Sequence, residues 1–337
     1  MSARRVLSRA IPFLAASVVT ASASAAPDPK ILPTEGEIKK LKEEVKAEDP
    51  WDPSLVFGLN IALATSNDVV GQADGLSLTA GLNIQGGLNY TQGAIDWRNT
   101  LKLNELYTRT PVLDELVKSG DLFEYESILY YLASKIWGPF VSFKLDTALL
   151  KGFDVRPAPV DYTLDGLPYK TGVDRTKLTD SFQPLALKEA VGAFVNTVTG
   201  DDLSVNIRAG FGAAETFAKG GKVLADDGGT PAIELASLAD VIQAGAVVGV
   251  EAHGDLDEKH VTYTAHAEVL FPIINDDPDN RGVIDLTNID VGARLSFKLF
   301  SFATLDYELK VMRQPQLVDA WQISNSLLLN FTYTAVP

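Results

Sequence analysis

The sequence predicts an all-β chain, a transmembrane antiparallel up-and-down β-barrel of about twelve strands preceded by a short periplasmic helix. Three observations predict it. From Leu55 to the C-terminus apolar and polar residues alternate with a period of two, which only a strand sorts onto opposite faces. Most alternating segments run to about 13–16 residues, beyond the usual strand of soluble sheets and ample for a tilted membrane crossing. The connections alternate between short turns and long polar loops, as the two faces of a membrane barrel require.

The N-terminus reads as an export tag over residues 1–25. Arg4 and Arg5 form a basic start, an apolar stretch runs from Ala10 to Ala21, and Ala23-Ser24-Ala25 is a small-residue cleavage site. The apolar stretch is too short to span a bilayer as a helix. Residues 26–53 form a periplasmic arm rich in Pro and charge. Within it Thr34 and Glu37 resemble a capping box, and Ile38, Leu41 and Val45 give one apolar stripe, so a short helix is predicted over 35–48.

The barrel occupies 54–337. The clearest strand is the run from Gly75 to Tyr90, where Leu76, Leu78, Leu82, Ile84 and Leu88 alternate with Ser77, Thr79, Asn83, Gln85 and Asn89. Further strands are predicted near 54–66, 93–106, 121–135, 139–152, 184–198, 202–216, 238–253, 259–273, 285–299, 301–313 and 321–335. Short turns follow the even strands, as at Thr91-Gln92 and Thr199-Gly200-Asp201. Long connections follow the odd ones: Asn67 to Asp74, Tyr107 to Gly120, Phe153 to Gln183, Phe217 to Ser237, Ile274 to Ile284 and Gln314 to Ala320. An even strand count puts both chain ends on the turn side. Aromatics gather towards strand ends, among them Tyr90, Trp97, Trp137, Phe140, Phe297 and Trp321, as expected at membrane interfaces.

Composition narrows the function. With no cysteine there is no disulfide scaffold or thiolate metal site. A net charge of −15 disfavours nucleic-acid partners.

The polar face of the strands is where function is sought, because a charge is costly in lipid and tolerable in a lumen. Parity places Asp96, Arg98 and Lys102 there from the third strand, Glu124 and Glu126 from the fourth, and Lys144 and Asp146 from the fifth. Lys188, Arg208, Glu251, His266 and Glu268 follow from the sixth to ninth. The tenth and eleventh supply Asp290, Arg294, Lys298, Asp306, Glu308 and Lys310. Both signs are represented, so the set reads either as an ionic network filling a narrow interior or as the lining of a hydrated pore. The connection from Phe153 to Gln183 is long enough to be functional. It is expected to fold inward as a constriction, with Arg156, Lys170, Arg175 and Lys177 reaching Glu124, Glu126 and Asp146, and Tyr162 and Tyr169 packing; the alternative is a mobile surface loop or an extracellular hairpin extending the fifth and sixth strands.

Enzymatic and metal readings are weak. His253, His260 and His266 sit around one hairpin with no spacing that makes them converge. Asp277, Asp279 and Gly282 fall at calcium-loop positions, but Arg281 takes a ligand place and Asn288 stands where a bidentate Glu is needed. No cofactor or metal is expected, and the chain is not read as an enzyme.

Over its mature length the chain resembles bacterial outer-membrane proteins. Its last strand, with Leu327, Leu329, Phe331 and Tyr333 on one face, is similar to the assembly signal of that class, although it continues to Pro337 instead of ending on an aromatic. Asp121 to Gly152, with Tyr130-Tyr131 and Trp137-Gly-Pro-Phe140, is similar to a family of such barrels known only as a domain of unknown function. The resemblance implies residence in the outer membrane, contact with its lipids and lipopolysaccharide, and passage through the barrel assembly machinery. It implies nothing about oligomeric state. The leading functional expectation is a narrow passive channel for small polar solutes. The alternative is a non-conducting structural, receptor or adhesive barrel acting through its outer loops.

Overall fold

A computed structural model describes residues 50–66, 75–113, 115–134, 136–200, 202–226, 228–256, 260–300 and 303–335. The predicted export tag, the arm up to residue 49, its helix and the 67–74 connection lie outside the described residues. Among those described there are sixteen strands and no helix.

Twelve strands close on themselves. They are β1 (Trp51–Ser66), β2 (Gly75–Gln92), β3 (Ile95–Arg109), β4 (Val117–Tyr131), β5 (Trp137–Thr147), β8 (Leu185–Val198), β9 (Ser204–Phe217), β12 (Val241–Leu256), β13 (Val261–Asn275), β14 (Asn288–Phe300), β15 (Ala303–Gln314) and β16 (Val318–Ala335). Each pairs antiparallel with its neighbours in that order, and β1 pairs with β16 from Leu55↔Ala335 to Asn60↔Asn330, which removes the free edges. The predicted strands coincide with these twelve to within a few residues. β1 starts at Trp51, inside the segment predicted as arm.

The alternation sorts the faces as expected. Outward Leu59 and Phe211 are 55% and 69% exposed, whereas inward Asn60 and Asn83 are 1% and 2% exposed. At the turn end an aromatic group encircles the first strands: Trp51 lies 4.8 Å from Tyr90 and 6.0 Å from Trp97, and the Trp97 indole donates to Ser127 Oγ at 2.9 Å. Such rings, apolar in body and polar at the tip, suit a membrane interface. Phe140 does not join them. It turns inward, 3% exposed, and packs with Ile128, Tyr130 and Phe194.

Two connections are not loops. The predicted inward loop 153–183 contains β6 (Gly152–Leu164) and β7 (Leu167–Thr179), and the connection after β9 contains β10 (Lys222–Leu224) and β11 (Ile233–Ser237). Together they make a second sheet in the order β10-β11-β6-β7, with β11 parallel to β6 and a core of Tyr162, Leu178 and Leu235. Its hairpin turns on Asp165-Gly166, at φ 50° and 77°. Two successive positive φ values are what a two-residue hairpin needs and what Asp-Gly supplies. The Asp165 carboxylate then accepts from Ser237 N at 2.9 Å and Ser237 Oγ at 2.7 Å, tying the hairpin to β11. The last connection, predicted as long, is only the tight turn 315–317.

Candidate functional site

The barrel interior divides into two lobes. On β1–β4 and β14–β15 its polar side chains are buried against one another. Lys102 ion-pairs with Glu124, and Lys144 reaches the same carboxylate at 2.7 Å. Arg294 meets Asp306 at 2.8 Å and Glu308 at 3.7 Å. Asn83 Nδ2 donates to Asn60 Oδ1 at 3.1 Å. Lys102, Glu124, Arg294, Asp306 and Glu308, all expected to line a lumen, are each less than a tenth exposed. Here the ionic network fills the interior.

The other lobe is open. Two adjoining cavities run along the inner face, both lined by Glu126, Lys144, Lys188, Arg208, Glu268 and Asp290. Towards the turn end the space extends past Arg98, Thr100, Tyr130, Glu251 and His266. Towards the loop end it extends past Ser142, Ala214, Leu270, Asn288 and Gln314. Of the expected lumen set, Arg98, Glu126, Lys144, Arg208, Glu268 and Asp290 therefore come together. Asp146 lies beside Lys144 at 3.7 Å, and Asp96 holds the Arg98 guanidinium at 2.8 Å.

Where the cavities meet, Lys188 of β8 lies 3.6 Å from both Glu268 of β13 and Asp290 of β14. Those strands are three and four places away around the wall, a path of about 14 Å or more at the usual strand spacing, so the lysine spans the wall's curve as a chord. The strands it passes present Gly210, Gly212, Val247 and Gly249 inward, and a Cβ on Gly249 meets only atoms at 3.8 Å or more. The contacts around the waist are long: 3.6 Å for Lys188 to each carboxylate, 3.6 Å for Arg208 to Glu251 and 3.4 Å for His266 to Asp290. Arg98 and Lys144 are instead held close, at 2.8 Å by Asp96 and 2.7 Å by Glu124. Tyr130 floors the cavity at its turn end, 4.7 Å from Phe194 and with the Arg98 guanidinium 5.3 Å from its ring centre. The sequence signal for this aromatic floor was its inward parity, which the gathering of aromatics near strand ends masked.

The basic residues of 153–183 go elsewhere than expected. Arg156 pairs with Asp154 at 2.7 Å, Arg175 with Glu115 at 3.5 Å and Lys177 with Asp180 at 2.7 Å. Lys170 stands 5.5 Å from the Tyr169 ring. Tyr162 is buried in the outer sheet and donates to Asp154 at 2.8 Å; burial and that carboxylate push its hydroxyl above the ordinary phenol value. Reach to Glu124, Glu126 and Asp146 is thus replaced by local pairing, because the hairpin has its own sheet and core to satisfy. The acidic turn after β13 is likewise held internally, Arg281 bonding Asp277 at 2.7 Å where a calcium ion would need the carboxylate.

Residues 71–153 match the family model described as "Protein of unknown function (DUF3078)". That span, from just before β2 to the start of β6, includes the stretch Asp121 to Gly152 whose resemblance to an uncharacterised barrel family was read from the sequence. No curated protein matches the chain. Among solved structures it is similar to the translocator domain of the autotransporter NalP from Neisseria meningitidis, at 9% identity and a TM-score of 0.36 over 88% of this chain and 92% of that one. It is also similar to the COG4313 outer membrane channel from Pseudomonas putida F1, at 10% identity and a TM-score of 0.36 over 86% and 100%. A third is OprB from Pseudomonas putida, at 12% identity and a TM-score of 0.29 over 89% and 97%. Likeness at this level assigns no residue a role.

Proposed function

We propose that this protein is a narrow, passive outer-membrane channel for small polar solutes, with Lys188 as its constriction. A closed barrel satisfies its backbone hydrogen bonds internally, as a bilayer demands, and the exposed aliphatic face with its aromatic end group supplies the lipid contact. The predicted export tag and resemblance to outer-membrane proteins fit the same location, among lipids and lipopolysaccharide. One observation carries the channel reading: two adjoining charged cavities on one side of the interior, joined at a waist that a single flexible side chain spans. Because the packed lobe fills the rest, the path is eccentric and narrow, as suits twelve strands, between the filled eight-strand barrels and the wide sixteen-strand porins.

The test is the unit conductance of the refolded protein in a planar bilayer beside that of Lys188→Ala. A clear rise on removing the strut supports the reading. Equal conductance in a correctly folded variant moves the constriction away from Lys188.

A receptor or adhesive role is favoured by one separate observation, the outer sheet with its own core and its exposed tip at Leu167, 69% accessible. Loss of binding to a cell surface on deleting that hairpin, without change in conductance, separates the two roles.

A further inference from the structure

We infer that the path selects small cations over anions, and that Glu126 is the residue that sets this preference. The inference rests on the channel reading above and adds a substrate class to it.

The cations lining the two cavities are Arg98, Lys144, Lys188 and Arg208, and the carboxylates are Glu126, Glu189, Glu251, Glu268 and Asp290. The carboxylates outnumber the cations by one, and the pairing is uneven. Arg98 is held at 2.8 Å by Asp96 and Lys144 at 2.7 Å by Glu124, two carboxylates that do not line the cavities. Lys188 approaches Glu268 and Asp290, and Arg208 approaches Glu251, each at 3.6 Å. His266 approaches Asp290 at 3.4 Å, and it carries a charge only when protonated.

Glu126 is the singular member of this set. It lines both cavities, and among the described residues it holds no ion pair within 4.0 Å or hydrogen bond of its own. Its cross-strand partners are Thr100 and Lys144, and the ammonium of Lys144 is already engaged by Glu124. A second, uncharged observation points the same way. Asn288 gives its amide nitrogen to Gln243 Oε1 at 2.5 Å, while its Oδ1, buried in the wall of the loop-end cavity, has no hydrogen-bond partner. The waist and its approach from the loop end thus offer a passing cation a carboxylate and an amide oxygen that no protein donor occupies.

A confined passage lined with surplus negative charge concentrates counter-ions and repels co-ions. The surplus is modest, so the preference is a ratio of permeabilities and not absolute exclusion. A cation passing the waist is met by Glu126 on one side and by the carboxylates that Lys188 holds loosely on the other. An anion meets the same carboxylates, with both cations already turned towards them.

The experiment is the reversal potential of the refolded protein in a planar bilayer between unequal KCl solutions, for the native chain, Glu126→Gln and Glu126→Asp. The expected result is a native reversal potential on the potassium side of zero, a shift towards zero for Glu126→Gln, and retention of most of the native value in Glu126→Asp. A native value at zero or on the chloride side overturns the inference while leaving the channel reading intact. A native cation preference that Glu126→Gln does not reduce, in a variant with native heat-modifiable gel mobility, overturns the role of Glu126. Absence of any conductance overturns the channel reading, and this inference with it.

Discussion

Neighbouring residues on one strand face opposite surroundings, and Thr100 and Leu101 in the middle of β3 give the most direct measure of this. Leu101 points outward, is 40% exposed and stands beside Gly86 and Tyr125 on the adjoining strands. Arginine there sets a guanidinium against the hydrocarbon, at a cost of about 2–4 kcal/mol near the bilayer midplane. At about 1.4 kcal/mol per tenfold, that lowers the folding constant by between thirtyfold and a thousandfold. Thr100 points into the turn-end cavity, with Glu126 as its cross-strand partner. Arginine there keeps its charge in a polar lumen and finds a carboxylate beside it, so the expected cost is below about 1 kcal/mol. The assay is reversible urea unfolding in phospholipid vesicles, followed by tryptophan fluorescence. Equal losses for Leu101→Arg and Thr100→Arg would refute the assignment of inner and outer faces.

Further outcomes follow from the same geometry. A Cβ on inward Gly210 meets the Val191 carbonyl oxygen and comes within 2.6 Å of Gly192 Cα, so Gly210→Val should abolish folding into vesicles, whereas Gly249→Ala should fold normally; native yield of Gly210→Val, read by heat-modifiable gel mobility, would contradict the close approach of β8 and β9. Deleting residues 157–177, the body of the outer hairpin, should leave unit conductance unchanged, because those residues pair with one another, with β11 and, through Arg175, with Glu115; a rise would return the constriction to this hairpin. Hydrogen bonds from the Arg281 guanidinium and backbone N–H hold the Asp277 carboxyl below its usual value. A depressed value contributes stability above the unfolded pKa of about 3.9 and loses it as pH falls through the folded value, so the hydrogen-exchange protection factors of the 276–287 segment should hold at neutral pH and fall only in strong acid. The same loss of protection should appear at neutral pH in Arg281→Ala, and its absence would detach that pair from the order of the turn.

The twelve wall strands were legible because burial on one face and lipid on the other impose a strict period of two, and the register then follows from the turns. Parity also placed the charged residues inward. It did not tell an inward residue that is packed from one that faces space: Asn83 and Lys102 are buried, while Thr100 and Glu126 on the same inner face line a cavity. That difference arises from contacts across the barrel, between strands far apart in sequence, as with Lys188 and Asp290. A hairpin between the fifth and sixth predicted strands is the alternative to an inward loop, and Asp165-Gly166 is its local signal; the strands β10 and β11 that complete the outer sheet carry no such signal. The parallel pairing of β11 with β6, some seventy residues apart, has no local signature.

The central claim is that the barrel conducts along one side of its interior, and the unit conductance of the native, refolded chain in a planar bilayer tests it most directly. The account predicts discrete, small current steps that grow when Lys188 is truncated to alanine. A bilayer that stays at its baseline current, with protein shown to be inserted and correctly folded, would contradict it.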